Sequence, residues 1–138
     1  MKKLIPVKNL EKYAWREFSK YIRTLYCLKT TDSLNHGKCY TCDGLFNISD
    51  LDAGHFSKAT NKETKFSEDN VRPQCTKCNC YLDGNEGIYA VRLIDEIGRD
   101  KVDWIIAQKG KVRKFSRAEL EEIRSTYKLK TKELEARC

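Results

Sequence analysis

The chain has 138 residues, of which 40% are hydrophobic and 34% are charged, and its formal net charge is +7. This length favours one compact domain with a modest core. The sequence contains no run of about 18 apolar residues and no signal-peptide pattern, so we expect neither a membrane span nor export. Seven cysteines in such a chain favour metal binding over disulfides. We therefore expect a cytoplasmic protein that is stabilised by a metal ion.

The positive charge is concentrated at the two ends of the chain. Residues 1–30 carry eight basic and two acidic side chains, and residues 101–138 carry eleven and six. Residues 31–100 instead carry eight basic and twelve acidic side chains. Basic segments attract a polyanion such as DNA, and an acidic centre can hold a divalent cation. The alternative for either end is an ordinary lysine-rich helix surface in contact with solvent.

The N-terminal segment, residues 1–30, is predicted to be a basic amphipathic helix that ends near Lys29. Apolar residues recur at spacings of three and four between positions 10 and 28, and Asn9 is the predicted N-cap. The aromatic residues of this stripe are predicted to pack in the core rather than to stack on bases. The opposite face carries three predicted contacts to DNA phosphates: Arg16, Lys20 and Arg23.

Two Cys-x-x-Cys pairs define the central segment, residues 31–98. Cys39 and Cys42 form the first pair, and Cys75 and Cys78 form the second. Each pair can supply two thiolates to one tetrahedral zinc ion, and a site with four thiolates is closed and structural. Mononuclear iron and a redox-active pair are the alternatives. Three cysteines remain outside the pairs: Cys27, Cys80 and Cys138.

Two short strands are predicted between the cysteine pairs. Residues 46–56 have an extended pattern, and residues 65–67 are predicted to return alongside them. The intervening loop is polar and basic, and its Lys58 and Lys62 are further candidates for DNA contact. After the second pair, Cys80 is out of step with the other ligands and is expected to be a packing thiol.

The segment that follows the second pair is predicted to be helical. Helices are predicted at about residues 86–97 and 100–108, and a last helix begins at Ser116, which forms a capping box with Glu119. The apolar pattern weakens after Ile123, which predicts that residues 128–138 are frayed or bound only to a partner. The C-terminal extension, residues 99–138, also supplies three candidates for DNA contact: Lys111, Arg113 and Lys114.

His55 is the central candidate for chemistry. It lies between the cysteine pairs, at the end of the first predicted strand. Hydrolysis of a phosphodiester requires a base to deprotonate water and a cation to stabilise the leaving oxygen. A neutral imidazole suits the first task, and hard oxygen ligands that hold Mg²⁺ or Mn²⁺ suit the second. The alternative is a purely structural histidine, which is the commoner role of a lone histidine.

The order of these motifs resembles a known family. Cys-x-x-Cys, histidine, asparagine and then Cys-x-x-Cys-Asn is similar to the zinc-containing HNH (ββα-metal) endonucleases in their H-N-N variant. The closer resemblance is to the NinG/Rap phage recombination proteins, and recombination endonuclease VII is also similar in its cysteine-then-asparagine feature. The resemblance rests on residues 15–23, 53–56, 68–70, 74–79, 84–85 and 89–98.

This resemblance implies a mostly helical α+β protein, in which a small zinc-stapled ββα-metal core is flanked by basic helices. It also implies a phage- or prophage-encoded endonuclease that cleaves branched DNA recombination intermediates, of the Holliday-junction or D-loop type, in the cytoplasm of a bacterial host cell. By the same resemblance, His55 is the general base, Asn70 fixes the opposite loop, and Asn79 binds the catalytic Mg²⁺ or Mn²⁺.

Gly54 departs from that family pattern. Many HNH endonucleases have Asp or His immediately before the base as a second metal ligand, and glycine has no side chain to offer. Asp52 points to the same side of a strand as residue 54, so it is the predicted replacement. Asn85 and a water molecule are the alternatives.

Two other functions are compatible with the sequence. One is a non-catalytic zinc-ribbon protein that binds DNA, and the other is a zinc-organised protein-interaction module of a recombination complex. The set of His55, Asn70 and Asn79 favours the endonuclease, because a zinc ribbon needs none of them. The basic segments favour DNA over a protein partner. A homodimer would suit paired cleavage of a near-symmetric junction.

Overall fold

The computed structural model describes residues 3–137. Its helices and strands are α1 (Val7–Thr31), β1 (His36–Lys38), β2 (Leu45–Asn47), β3 (Leu51–His55), α2 (Lys62–Lys65), β4 (Val71–Cys75), α3 (Glu86–Ile97), α4 (Arg99–Ala107) and α5 (Arg117–Ala136). Short 3₁₀ turns at Ile48–Asp50 and Glu68–Asn70 precede β3 and β4, and Lys77–Tyr81 is a π-helical turn. This mostly helical α+β content confirms the predicted class. None of the helices in the described part is both long and apolar enough to cross a bilayer.

α1 is the helix on which most other elements pack. Its buried positions recur at spacings that keep them on one side, as an amphipathic helix requires. Five of these positions are Leu10, Ala14, Phe18, Ile22 and Cys27. The predicted N-cap at Asn9 is wrong. The helix begins at Val7, because the carbonyl of Pro6 accepts hydrogen bonds from the backbone N–H groups of Asn9 and Leu10.

The two sheets are antiparallel pairs of short strands. β1 and β2 form a hairpin around the first cysteine pair, and β3 pairs with β4 so that Leu51 faces Cys75 and His55 faces Val71. The predicted extended segment is interrupted by the 3₁₀ turn at Ile48–Asp50.

The predicted second strand at residues 65–67 is wrong, because the returning strand is β4. Pro73 is an unusual residue within β4, because proline has no N–H to donate to a strand partner. Its carbonyl accepts from the N–H of Tyr40, so the backbone of Pro73 faces away from β3. Its missing N–H therefore does not interrupt the β3–β4 ladder.

The two faces of β3 meet different parts of the molecule. Leu51 shares a hydrophobic cluster with Cys27 of α1, and His55 stacks on Trp15 of the same helix. Asp52 and Gly54 alternate with these residues and therefore point to the opposite face. Residues of that second face lie beside the π-helical turn and α3.

The helices of the C-terminal half agree with the predicted pattern in their positions. α3 and α4 confirm the two predicted helices, and Gly98 separates them with a φ of 92° that favours glycine. The predicted capping box of the last helix is also confirmed. Ser116 Oγ accepts a hydrogen bond from the Glu119 N–H and lies 3.3 Å from the Glu119 carboxylate.

α5 is longer than its apolar pattern predicted. It continues to Ala136, so the predicted fraying after residue 128 is wrong for the described residues, while Cys138 lies outside them. The apolar periodicity of α5 is incomplete after Ile123 because a tyrosine and a threonine supply part of its packing surface. Tyr127 packs edge-on against Phe18 of α1, and Thr131 is buried. The start of α5 packs against the start of α1, and later residues of α5 pack against later residues of α1. The two helices therefore run parallel.

Candidate metal and nucleic-acid site

Four cysteine sulfurs converge as the spacing predicted. The Sγ atoms of Cys39, Cys42, Cys75 and Cys78 all lie within 4.8 Å of one another, and those of Cys42 and Cys75 are 3.8 Å apart. A tetrahedral zinc ion with Zn–S bonds of about 2.3 Å would separate its sulfurs by about 3.8 Å. The cysteine cluster could therefore bind a metal such as zinc. The prediction that Cys80 packs in the interior is wrong, because its side chain is exposed.

The cysteine cluster joins parts of the chain that are distant in sequence. The first pair lies in the turn of the β1–β2 hairpin, where the N–H of Cys39 donates to the carbonyl of Gly44. The second pair lies where β4 passes into the π-helical turn. Cys27 of α1 and Leu51 of β3 pack against the cluster. A metal ion here would hold the hairpin, the β3–β4 pair and α1 in one arrangement.

His55 is held in a defined orientation beneath α1. Its ring stacks on Trp15 with a centroid distance of 4.6 Å, and its Nε2 lies 3.1 Å from the carbonyl oxygen of Lys65. A carbonyl oxygen can only accept, so Nε2 carries the hydrogen and Nδ1 of the neutral ring has a free lone pair. Burial lowers the pKa of His55 to about 4, so the ring is neutral at physiological pH. The order of the sequence motifs does not connect Trp15 with His55, so only the fold reveals this contact.

The partner of His55 is itself fixed to α1. The Nζ atoms of Lys62 and Lys65 lie 2.8 Å and 2.6 Å from the carboxylate of Glu11, which belongs to α1. These ion pairs hold α2 against the N-terminal half of α1, next to Trp15. They place the Lys65 carbonyl where the imidazole can donate to it.

Asn70 ties together the loop that follows His55. Its side chain is fully buried, and its Oδ1 accepts a hydrogen bond of 2.7 Å from the N–H of Ser57. Its Nδ2 donates to the carbonyl oxygens of Ser57 and Thr64. This arrangement agrees with a residue that fixes the loop, while its part in catalysis stays a prediction.

Asp52 and Asn79 are brought together by the fold. Nδ2 of Asn79 donates a hydrogen bond of 3.2 Å to Oδ2 of Asp52. Oδ1 of Asn79 and the rest of the carboxylate remain as oxygen atoms that could bind a metal ion. Asn79 lies in the π-helical turn, directly after the last cysteine of the cluster. The side chain of the alternative ligand Asn85 lies near the cysteine cluster, with its Nδ2 3.9 Å from Cys78 Sγ, and its part in a metal site stays a prediction.

The predicted base and the predicted metal ligands do not share one face of β3. His55 projects toward α1, whereas Asp52 projects from the opposite face, because side chains alternate along a strand. β3 pairs only with β4 within residues 3–137, so its other edge is unpaired. Arg23 of α1 donates to the Ile48 carbonyl in the 3₁₀ turn that precedes β3. Burial lowers the pKa of Arg23, and the nearby Asp52 carboxylate opposes that shift.

Comparisons with known proteins identify the family. A family model described as Bacteriophage Lambda NinG protein matches residues 1–137. The chain belongs to the NinG family. The proteins named Protein ninG from Escherichia phage lambda and Salmonella phage P22 are each 34% identical to it over 97 residues, which is 70% of this chain and 47% of each relative. The match therefore spans about half the length of these relatives. No solved structure matches the chain.

The predicted DNA contacts of this NinG-family chain fall into two groups. The first group forms ion pairs with carboxylates: Lys58 with Asp83, Lys62 with Glu11, and Arg113 with Glu119. The second group has no carboxylate partner among residues 3–137: Arg16, Lys20, Arg23, Lys111 and Lys114. Only the second group can bind phosphates without first breaking an ion pair.

A groove between α1 and α5 adds two cations that the sequence pattern had not identified. Arg16 and Lys20 line it from α1, and Lys128 and Lys132 line it from α5. Two glutamates also line the groove, so its balance is positive. The α5 lysines were overlooked because this part of the NinG-family chain was predicted to be frayed. We refer to these four cations as the basic groove.

Proposed function

We propose that the chain is a metal-dependent endonuclease that cleaves branched DNA recombination intermediates of the Holliday-junction or D-loop type. The observation that carries this proposal is the orientation of His55 at the end of β3. Its Nε2 is bound to a backbone carbonyl and its neutral Nδ1 is free to accept a proton. In addition, Asp52 of the same strand and Asn79 supply side-chain oxygens that a histidine serving only to pack would not require.

In the proposed reaction, Nδ1 of His55 takes a proton from the attacking water. Asp52 and Asn79 offer the carboxylate and amide oxygens that suit Mg²⁺ or Mn²⁺, in contrast to the thiolates that suit zinc. A divalent ion bound there would polarise the phosphodiester and stabilise the leaving oxygen. Arg23 would hold a phosphate oxygen beside Asp52.

The unpaired edge of β3 is the place where these groups could act on one phosphate. Groups from the two faces of a strand can both reach a ligand that lies along its edge. His55 would approach the phosphate from the α1 face, and Asp52 with Asn79 would approach it from the other face. The basic groove would bind a neighbouring DNA segment, and paired cuts in a junction would require two copies of the chain.

A second candidate function is a zinc-containing protein that binds branched DNA without cleaving it. The placement of His55 and Asp52 on opposite faces of β3 favours this alternative. So does the pKa of about 4, because it makes the imidazole a weaker base than an exposed histidine. In this case His55 would serve to pack α1 against the β3–β4 pair.

The deciding experiment compares two histidine variants on defined DNA. The zinc-loaded protein is incubated with a four-way junction, a D-loop and linear duplex, with Mg²⁺, with Mn²⁺ or with EDTA. We expect metal-dependent cleavage of the branched substrates, and a loss of about 100-fold or more in His55→Ala. His36→Ala is the matched control, because His36 is exposed in β1 and should not affect cleavage. Binding without cleavage under every condition would favour the second function.

A further inference from the structure

One buried oxygen on the second face of the β3–β4 pair has no hydrogen-bond partner. Gln74 of β4 is 0% exposed, and its Oε1 is the one buried side-chain nitrogen or oxygen without a partner among residues 3–137. Buried polar atoms are nearly always paired, because an unpaired acceptor loses its hydration without compensation. An oxygen in this state has an unused capacity to bind a donor or a cation.

The orientation of this amide is defined by its own hydrogen bonds. Nε2 of Gln74 donates to the carbonyl oxygen of Gly84 over 2.8 Å and to Thr41 Oγ1 over 3.1 Å. The Gly84 carbonyl can only accept, so the nitrogen end of the amide must face it. Oε1 is therefore turned away from Gly84 and toward β3.

Oε1 occupies the space that a side chain at position 54 would fill. It lies 2.0 Å from the ideal Cβ position of Gly54, so only glycine fits there while Gln74 keeps this conformation. Gln74 is also the cross-strand neighbour of Asp52 and lies on the same face of the pair. The Asp52 carboxylate in turn accepts a hydrogen bond from Nδ2 of Asn79. Gln74 and Asp52 thus share one face of the pair, and Asn79 of the π-helical turn contacts the Asp52 carboxylate beside that face.

We propose that Oε1 of Gln74 is an oxygen ligand of the divalent cation that Asp52 and Asn79 would bind. This inference rests on the proposed function and specifies its metal site. Amide oxygens are ordinary ligands of hard divalent ions. The oxygen comes from β4 and takes the place of a side chain at position 54, which explains why Gly54 is compatible with a metal site. With one carboxylate and two neutral amides, the site carries little charge and favours exchangeable Mg²⁺ or Mn²⁺.

The test measures Mn²⁺ binding by the zinc-loaded protein in the absence of DNA, by electron paramagnetic resonance of the free ion. Gln74→Ala should raise the Mn²⁺ dissociation constant at least about tenfold. Gly54→Asp combined with Gln74→Ala should return it close to the wild-type value, because the new carboxylate enters the vacated space. Gln108→Ala is the matched control, since it removes a buried glutamine that donates to the Trp104 carbonyl in α4. It should leave Mn²⁺ binding unchanged.

Zinc content and thermal unfolding are measured for every variant. Wild-type Mn²⁺ affinity in a folded Gln74→Ala, or no recovery in the double variant, would overturn the role of Gln74. If Gln74→Ala does not fold, Gly54→Ala replaces it, because the added Cβ displaces Oε1 while the glutamine side chain is kept. Unchanged affinity in Gly54→Ala would then overturn the proposal.

The same titration separates this inference from the proposed function. If Asn79→Ala binds Mn²⁺ weakly and Gln74→Ala binds it normally, the metal site exists but Gln74 is not one of its ligands. Wild-type protein that binds no Mn²⁺, or Asn79→Ala and Asp52→Asn that bind it normally, would remove the metal site itself. The proposed function would then fail together with the role of Gln74.

Discussion

The cysteine cluster and the β3 edge differ in how far the folded chain completes them. The four sulfurs of the cluster already lie at distances that suit a tetrahedral ion. At the β3 edge, His55 and Asp52 project from opposite faces, and their common target would be a bound phosphate. A structural metal site must be formed with the fold, because its ion stabilises that fold. A catalytic site must instead leave room for a substrate.

The largest expected effect concerns the cysteine cluster. Cys39→Ser or Cys75→Ser should yield an unfolded or insoluble chain without bound zinc, because structural zinc sites contribute on the order of 10 kcal/mol to folding. Zinc analysis and circular dichroism would measure both consequences. Cys80→Ser is the matched control and should fold normally, since Cys80 is exposed and lies outside the cluster. A well-folded Cys75→Ser protein would show that the cluster is not needed for the fold.

Loss of the proposed base and loss of a proposed metal ligand should reduce cleavage in different ways. His55→Ala should reduce cleavage about 100-fold at every metal concentration, because the base is gone. Asn79→Ala should reduce it similarly at low metal, but excess Mn²⁺ should restore part of the activity, since a lost ligand weakens binding. Rates on a four-way junction across a metal titration would make this comparison. Equal rescue of both variants would contradict the separate roles.

The pH profile of cleavage on its acid side should also distinguish the wild type from His55→Ala. With a pKa of about 4 for His55, the wild-type rate should rise through about that pH rather than through 6.5. The residual activity of His55→Ala should lack this limb. A wild-type limb centred near 6.5 would mean that the catalytic histidine is solvated when DNA is bound.

Acid should also destabilise the fold through His55, independently of catalysis. The folded pKa of about 4 lies below the unfolded value of 6.5, so the unfolded chain takes up a proton first as the pH falls. The contribution of the neutral ring is complete above pH 6.5 and is lost as the pH falls toward 4. The free energy of unfolding should drop by about 2 kcal/mol between about pH 7.5 and about pH 5. Urea unfolding of wild type and His55→Gln would isolate this term, because zinc release affects both.

The smallest expected effect concerns the basic groove. Lys20→Ala with Lys128→Ala should weaken binding to any DNA by about tenfold at low salt, and should reduce the slope of log affinity against log salt by about two. Lys62→Ala is the matched control, because Lys62 is already paired with Glu11. Fluorescence anisotropy over a salt series would measure both quantities. Equal losses in the control and the double variant would assign DNA binding elsewhere.

Local sequence patterns were sufficient for several features of this protein. The cysteine spacing predicted the cluster, since two residues between cysteines let both thiolates reach one ion. The periodicity of apolar residues predicted α1, α3 and α4, and the Ser116–Glu119 pair predicted the start of α5. The motif order also predicted the NinG family. Each of these features depends on residues that are close together in the sequence, or on motifs that survive as short strings.

The tertiary structure decided the features that depend on distant contacts. The position of β4 depends on pairing with β3 and on Tyr40, which lets a strand contain Pro73. The length of α5 depends on α1, against which Tyr127 packs.

Distant contacts also determine the surroundings of the candidate site. Trp15 is 40 positions from His55 in the chain, and Gln74 is 20 positions from Gly54, so neither contact leaves a local periodic signal. Sequence alone therefore identified the candidate base and one pair of oxygen ligands. The fold determined what orients that base, which face of β3 each group occupies, and which oxygen lies over Gly54.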